Sequence, residues 1–520
     1  MNSIPNDAGD GSNEMHLDEG DTDWLCHRVT MLDFDASGLL QQADELCLRT
    51  QAAQPPPQPE AQYRQQGSTD AATVSATAEA SGSTIAWPPG RAGTFARFIF
   101  NQSYSPVREV AIAAALGLLA GVCGRAYRTY TGKDLALYII LIARSGVGKD
   151  STHDAIPLML KLALVPYAER FVRAQDFVSG EALHKELLRE PGFLALQGEF
   201  GRKLKRMSNP QDTPMQNLRT VMTNAYAKQH LEGKAYSNID DCMMGVNWPA
   251  LSFLGETTPS TFLECLTPDM MADGFLSRFL SISYEGDRPP PNRHRDAQLG
   301  VDDLAYWKTL VSHAVAFQSP INTPPACPVV PNDDAQDNLE RFELECIADL
   351  NGTEDESERQ VWSRAHLKVL KVASLLAVAD HCFMPVIRIE HVAWARSIVR
   401  SDIALFQSRK RRGDIGTADD AREGKLVAIL RDYLAAAPKA SYKVPKGMRE
   451  NSIVPRSYLQ VRTTSLPAFA NHRSGSATKA LDDALRSLVL NGYLMDVEKL
   501  PLSERYNFHG KAYRVLSFPD

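Results

Sequence analysis

Residues 135–156 read LALYIILIARSGVGKDSTHDAI. Nine apolar residues lead into a turn holding Gly146 and Gly148, and a helical pattern follows, so the stretch reads as buried strand, turn and helix. A turn that opens a helix presents a row of unpaired N–H groups in the favourable field of the helix dipole. That combination binds anions. Gly148-Lys149 is the pair that closes a phosphate-binding loop, but Ala143 stands where that pattern has its first glycine, and Asp150 where it has Ser or Thr. On this reading Ser145, Gly146, Val147 and Gly148 cradle phosphates and Lys149 reaches the β- and γ-oxygens of ATP. Ser151 points about 100° away from Asp150 around the helix and does not simply replace it. A chance Gly-Lys pair in a turn is the plain alternative; the flanking strand and helix argue for the loop.

The chain has 520 residues, 44% of them hydrophobic, enough for two or three domains with a sizeable core. Its eight cysteines are scattered without a C-x-x-C pair, so zinc and redox motifs are not indicated and a reduced, cytoplasmic setting is expected. The longest apolar run, 110–122, is too short to span a bilayer, and the acidic start lacks the basic residues of a signal peptide. No membrane partner is expected. The net charge of −7 is unevenly spread: residues 1–90 hold 14 acids and 3 bases, residues 405–520 hold 12 acids and 20 bases.

Residues 1–90, rich in Pro, Gln, Ala and Ser, read as a disordered acidic arm and linker with a candidate helix at 37–49. From 91 to 286 helical runs alternate with the short apolar runs LALYIILIA, FLALQGE, ALSFLGE and RFLSISY. Strands apolar on both faces and separated by helices predict an α/β fold with a parallel sheet covered on both sides. EGDRPPPNRHRDAQ reads as a loop, and helices follow at 301–317, 334–350, 357–380 and 389–412. Residues 287–415 thus form a helical segment, and 416–520 a last unit with helices near 423–435 and 476–491 and two short strands behind them.

A nucleotide hydrolase needs a carboxylate delivered by a second strand. Glu199 follows the run 193–196, at a strand's C-terminal edge, where ligands sit in such sheets. The run before Glu256-Thr257-Thr258-Pro259 ends in polar residues suited to a γ-phosphate or its water, and Arg278 opens the next strand as a candidate arginine finger. Each has a plainer reading: Glu199 in an ion pair with Arg202, Arg278 paired with Asp273, and a helix arginine such as Arg364 as a structural residue.

The order of the Gly-Lys loop, GEFGRKL, GETTP and LSRF, followed by helices, resembles AAA+ helicases of the MCM type. It is closer still to an MCM-like ATPase family of phages, plasmids and integrated elements. The resemblance covers residues 94–398 and implies a P-loop AAA+ core at 91–286 with 287–415 as helical lid. It assigns the catalytic glutamate to Glu199, the sensor before a proline to Thr258, the finger to Arg278 and the second sensor, in SRAHLKVLKVASLLAVA, to Arg364. Where the family has Asp-Glu-Phe, this chain has Gly198-Glu199-Phe200, so the metal-side aspartate is missing. The loop has gained Asp150 and the second strand has lost a carboxylate at 198; Asp150 is therefore the expected ligand of Mg2+, which needs only one or two protein carboxylates beside phosphate and water.

SATKALDDALRSLVLNGYLMDVEK followed by KAYRVLSF resembles a winged-helix domain, with Arg473, Lys479 and Arg486 as phosphate contacts to DNA. HLEGKAYSN suggests a hairpin turn at Gly233-Lys234, and the resemblance implies a DNA-contacting lysine there, Lys234. A plain surface turn is the alternative. Together these readings imply an ATP-dependent DNA helicase or DNA-remodelling ATPase acting on single-stranded or forked DNA in the replication of a phage or mobile element. Because a finger acts in trans, a homo-oligomeric, hexameric ring is implied. The other reading is a nucleotide-binding, weakly hydrolysing DNA-binding initiator or regulator. In assays of magnesium-dependent ATP turnover, Asp150→Ser should fall well below the wild type, and adding Gly198→Asp should restore part of the loss; full activity in Asp150→Ser would refute the exchange of carboxylates.

Overall fold

The computed structural model describes residues 85–518 apart from 236, 239, 241, 267–269, 271–272, 320–324, 412–417, 439, 465, 467–468 and 470–475. The expected arm with its helix at 37–49, and Arg473, lie outside the described residues.

Mixed α/β architecture follows from the apolar runs. They form strands β1 (Tyr138–Ala143), β3 (Gly192–Gln197), β4 (Ala250–Thr257) and β5 (Phe279–Tyr284), joined at one edge by the two-residue β2 (Val172–Arg173). The order is β2-β3-β4-β1-β5 and every neighbour pair is parallel. β1, β3 and β4 are buried along their whole length, as strands covered on both faces must be. Helix α1 (Arg108–Cys123) lies across them, buried from Glu109 to Cys123. A side chain at its Gly121 would come within 2.7 Å of the Leu194 Cβ, so the small residue sets how closely helix and sheet approach. Leu254 faces that helix while its neighbour Gly255 faces Phe200 of the helix Phe200–Met207, which shows the two covered faces in one dipeptide.

The helices expected beyond the proline loop occur at Val301–Val315, Asp333–Asn351, Glu356–Asp380 (α3 below) and Ile389–Arg411. Their side chains join one continuous apolar core that runs from Ile85 to Ile403 and includes the sheet. The segment divided off in the sequence as a lid therefore has no core of its own among the described residues. Three short strands, Tyr127–Thr129, Cys327–Pro331 and Val386–Ile387, pair in parallel as a second sheet that hydrophobic patterning does not announce. α3 is buried from Lys368 to Ala379, and its Lys371 ammonium donates to Asp134 Oδ1 at 3.0 Å and to the Ala136 carbonyl at 2.8 Å. This ties the central helix to the chain entering β1.

The last unit has separate apolar clusters built from Leu426 to Val515. Helices Ala418–Ala435, Arg456–Thr463 and Ala477–Leu490 (α4) pack with an antiparallel sheet of Ile453–Pro455, Ala512–Val515 and Leu494–Asp496, in that spatial order. Three elements here escaped the sequence reading: the strand at Ile453, the helix Arg456–Thr463 and the helix Lys499–Tyr506 between the last two strands. Among the described residues no helix is long and apolar enough to cross a membrane. The Lys371–Asp134 pair is almost fully buried on both sides, so Asp134→Ala strands a cation in the core. It should cost roughly 3–5 kcal/mol, read as a lowered urea midpoint at unchanged m-value.

Candidate functional site

β1 is paired on both edges, with β4 and β5, so its chain can leave the sheet only past the C-terminal edge. It does so through the loop 144–150, whose Gly146 and Gly148 have φ of +79° and +100°, a region where only glycine is unstrained. At Gly148 a Cβ would also stand 2.6 Å from Ser105 Cβ and 2.7 Å from its carbonyl. Among the described residues the backbone N–H groups of Gly146, Gly148, Lys149 and Asp150 make no backbone hydrogen bond. These donors, the start of the helix Ser151–Leu162 (α2 here, counting along the chain between α1 and α3) and a lysine converge on one opening.

That opening is a cleft of about 430 Å³ lined by the loop, by Gly198, Glu199 and Gly201 after β3, and by Glu256, Thr257 and Thr258 at the end of β4. Lys149 Nζ donates to the carbonyls of Ala143 at 2.7 Å and Arg144 at 3.0 Å, so it is held at the strand end above the loop. Burial pushes its pKa down, against the opposing pull of Glu256 and Asp150. Ser151 Oγ donates back to the Gly148 carbonyl at 2.8 Å and braces the turn. Asp150 is exposed, and its side chain makes no capping hydrogen bond. Ser145 lies on the cleft wall, while Val147 turns its side chain into the core.

The carboxylate facing the loop is Glu256. It is buried at the end of β4, its Oε1 accepts from Thr152 Oγ1, and His153 Nε2 lies 3.5 Å away. Burial pushes its pKa up to about 7; the Thr152 hydrogen bond works against that and the Asp150 charge adds to it. Burial lowers the His153 pKa in turn, offset by Asp150 and Asp154. A Cβ at Gly198 would stand 3.6 Å from His153 Nε2, so His153 occupies the space toward which a carboxylate at 198 would point. Sequence reasoning passed over Thr152 and His153 and took Glu256 only as one of several polar residues. The run Lys-Asp-Ser-Thr-His held the signal: positions 149, 152 and 153 share a helix face.

Glu199 stands apart from this buried group. It adopts a left-handed φ of 49°, its side chain is 74% exposed, and it pairs with Arg202 at 3.2 Å on the cleft wall. Thr258 also lines the cleft, capping the short helix Pro259–Glu264 by accepting from Thr261 N.

Arg278 and Arg364 are not in the cleft. Tyr138 pairs with Phe279 and Ala143 with Tyr284, so Arg278 lies at the opposite end of the sheet, about 17 Å of strand from the loop. Its pairing with Asp273 does not occur: Asp273 binds Arg219, and Arg278 donates to the Gly274 carbonyl. Arg278 and Arg364 lie near enough for Arg364 to help burial push the Arg278 pKa down. The Nε atoms of both, and the Tyr226 hydroxyl beside them, are buried and have no hydrogen-bond partner among the described residues.

The residues expected to meet DNA are dispersed. The hairpin is present, but its turn lies farther on: His230–Leu231 pairs with Val246–Asn247 and Lys234 bridges to Met243, so Lys234 is on a flank and binds Glu181 at 2.9 Å. Asp240 lies on the segment between these flanks. On α4, Lys479 is exposed and Arg486 pairs with Asp483 at 3.3 Å. Among the described residues no group of three or more His, Cys, Asp or Glu side chains is placed to hold a metal ion unaided.

Compared with known proteins, the chain matches no family model and no curated protein.

Glutamate in the unfolded chain titrates near about 4.3, whereas Glu256 titrates near 7 in the fold. The stability this group contributes is therefore complete below about pH 4 and is lost as pH rises through 7. Glu256→Gln should remove that slope and, at pH 8, unfold later than the wild type by up to about 3 kcal/mol in denaturant titrations at pH 5 to 8.

Proposed function

We propose that the chain binds and hydrolyses a nucleoside triphosphate and works as a DNA-dependent ATPase of the AAA+ type. The observation that carries the reading is the free row of amides at Gly146, Gly148, Lys149 and Asp150, set beside an ammonium and a helix start at the C-terminal edge of a parallel sheet. The cleft fits a magnesium–nucleotide pair: its glycines admit close approach, and Asp150, exposed and without a capping role, would hold the ion. Magnesium, when bound, would neutralise charge on the β- and γ-oxygens. Lys149 would bind the same oxygens, and Glu199 would orient the attacking water, since an exposed pair such as Glu199–Arg202 is cheap to break. Glu256, held by Thr152, fixes the first turn of α2 against β4.

Arg278 is too far from its own loop to serve it, which supports action on a neighbouring copy. Two half-buried arginines near each other, whose buried Nε atoms have no partner among the described residues, are better satisfied when an anion joins them, and a neighbour's phosphate is such an anion. The order helix, strand, helix, helix, strand, helix, strand in residues 418–515, with the last strand central in the sheet, supports the winged-helix reading and a DNA partner. The helix Lys499–Tyr506 then stands in the wing.

The second reading, a nucleotide-binding initiator or regulator with weak turnover, is favoured by the Glu199–Arg202 pair and the missing carboxylate at 198. ATP turnover measured with and without single-stranded DNA, beside mass measurement with and without nucleotide, separates the two. The motor reading expects DNA-stimulated turnover that Lys149→Ala abolishes; nucleotide-driven assembly without turnover establishes the other. A trans finger makes a further demand: Lys149→Ala and Arg278→Ala proteins, each inactive, should regain about a quarter of wild-type turnover when mixed in equal amounts, because that fraction of interfaces is intact. A mixture that stays inactive rules out action in trans.

A further inference from the structure

The cleft lies on one side of the loop, over β4 and β3. On the other side of β1 stands β5, whose last residue Tyr284 is paired with Ala143. The chain beyond it stays close: Asp287 meets Arg144 at 3.7 Å, Asn292 N donates to the Tyr104 carbonyl at 2.7 Å, and Asn292 Nδ2 donates to the Asn101 carbonyl at 2.6 Å. Ser105 is the residue against which Gly148 packs. Residues 104–105 are thus fixed against the loop from the side opposite the carboxylates. Tyr104 is tied there by its backbone while its side chain is 52% exposed, and the Arg295 guanidinium lies over the ring, 5.9 Å from its centroid.

An aromatic ring anchored by its backbone, backed by a guanidinium and open to solvent beside an anion-binding loop is a stacking platform for a flat heteroaromatic ring. We infer that Tyr104, with Arg295, holds the base of a purine nucleoside triphosphate whose phosphates lie on the loop. The inference rests on the nucleotide reading above and adds a direction to it, with the γ-phosphate toward Glu256 and Glu199 and the base over the end of β5. The side-chain amide of Asn292 is already engaged, its Nδ2 with Asn101 and its Oδ1 with His294 N, so it is not free to read the edge of the base. Recognition is by ring area, which favours a purine over the smaller pyrimidine.

The test compares a non-hydrolysable ATP analogue with inorganic tripolyphosphate, by calorimetry on the full chain with magnesium. The wild type should bind the analogue about tenfold more tightly than tripolyphosphate. Tyr104→Ala should lose that tenfold preference with tripolyphosphate affinity unchanged, and Tyr104→Phe should keep it. If Tyr104→Ala binds the analogue as the wild type does, or loses tripolyphosphate in parallel, the base is not held by Tyr104 while the phosphate reading stands. If the wild type binds neither ligand, the phosphate reading and this inference fall together.

Discussion

A strand buried on both faces and paired on both edges has one way out of a sheet, and the exit of β1 sets the character of this molecule. Past Ala143 the chain must turn back over its own sheet within a few residues, in contact with Ser105, and only glycine meets both the space and the φ required at Gly148. Among the described residues the donors at Gly146, Gly148, Lys149 and Asp150 have no backbone acceptor. Everything placed around the loop, from the lysine at the strand end to the carboxylates of β4 and the aromatic ring beyond β5, is positioned by the register of five parallel strands.

Charge is distributed around this exit in three separate groups. Half-buried Lys149 and exposed Asp150 are on the loop; Glu256 and His153 are beneath it, with the burial of each disfavouring its charged form. Arg278 and Arg364 lie at the far end of the sheet, near enough for their charges to oppose each other. Their separation follows from geometry: a parallel strand has its two ends on opposite sides of the domain, so one chain cannot bring both to the same phosphate.

The fold was legible where burial left a mark on composition. The four long strands and the helices after the proline loop were marked by unbroken apolar runs and by caps and stops, and their bounds fall within a few residues of expectation. The sheet of Tyr127–Thr129, Cys327–Pro331 and Val386–Ile387 was not legible, because its strands are only two to five residues long, the middle one carries two prolines, and only the docking of α3 brings them together. The site was legible in part for the same kind of reason. Lys149, Gly146 and Gly148 belong to a local motif, whereas the buried partnership of Thr152, His153 and Glu256 joins segments more than a hundred residues apart.

The sequence by itself determined the buried strands, the glycine turn and the lysine, since each rests on side-chain chemistry and period within a dozen residues. Tertiary structure alone decided which carboxylate faces the loop. Glu199 and Glu256 both follow apolar strands and read alike, but β4 lies directly beside β1 and β3 is one strand farther away, so Glu256 is the one held against α2. It also decided that Arg278 stands away from the cleft of its own chain, because strand direction, which no local pattern encodes, puts it at the other end of the sheet.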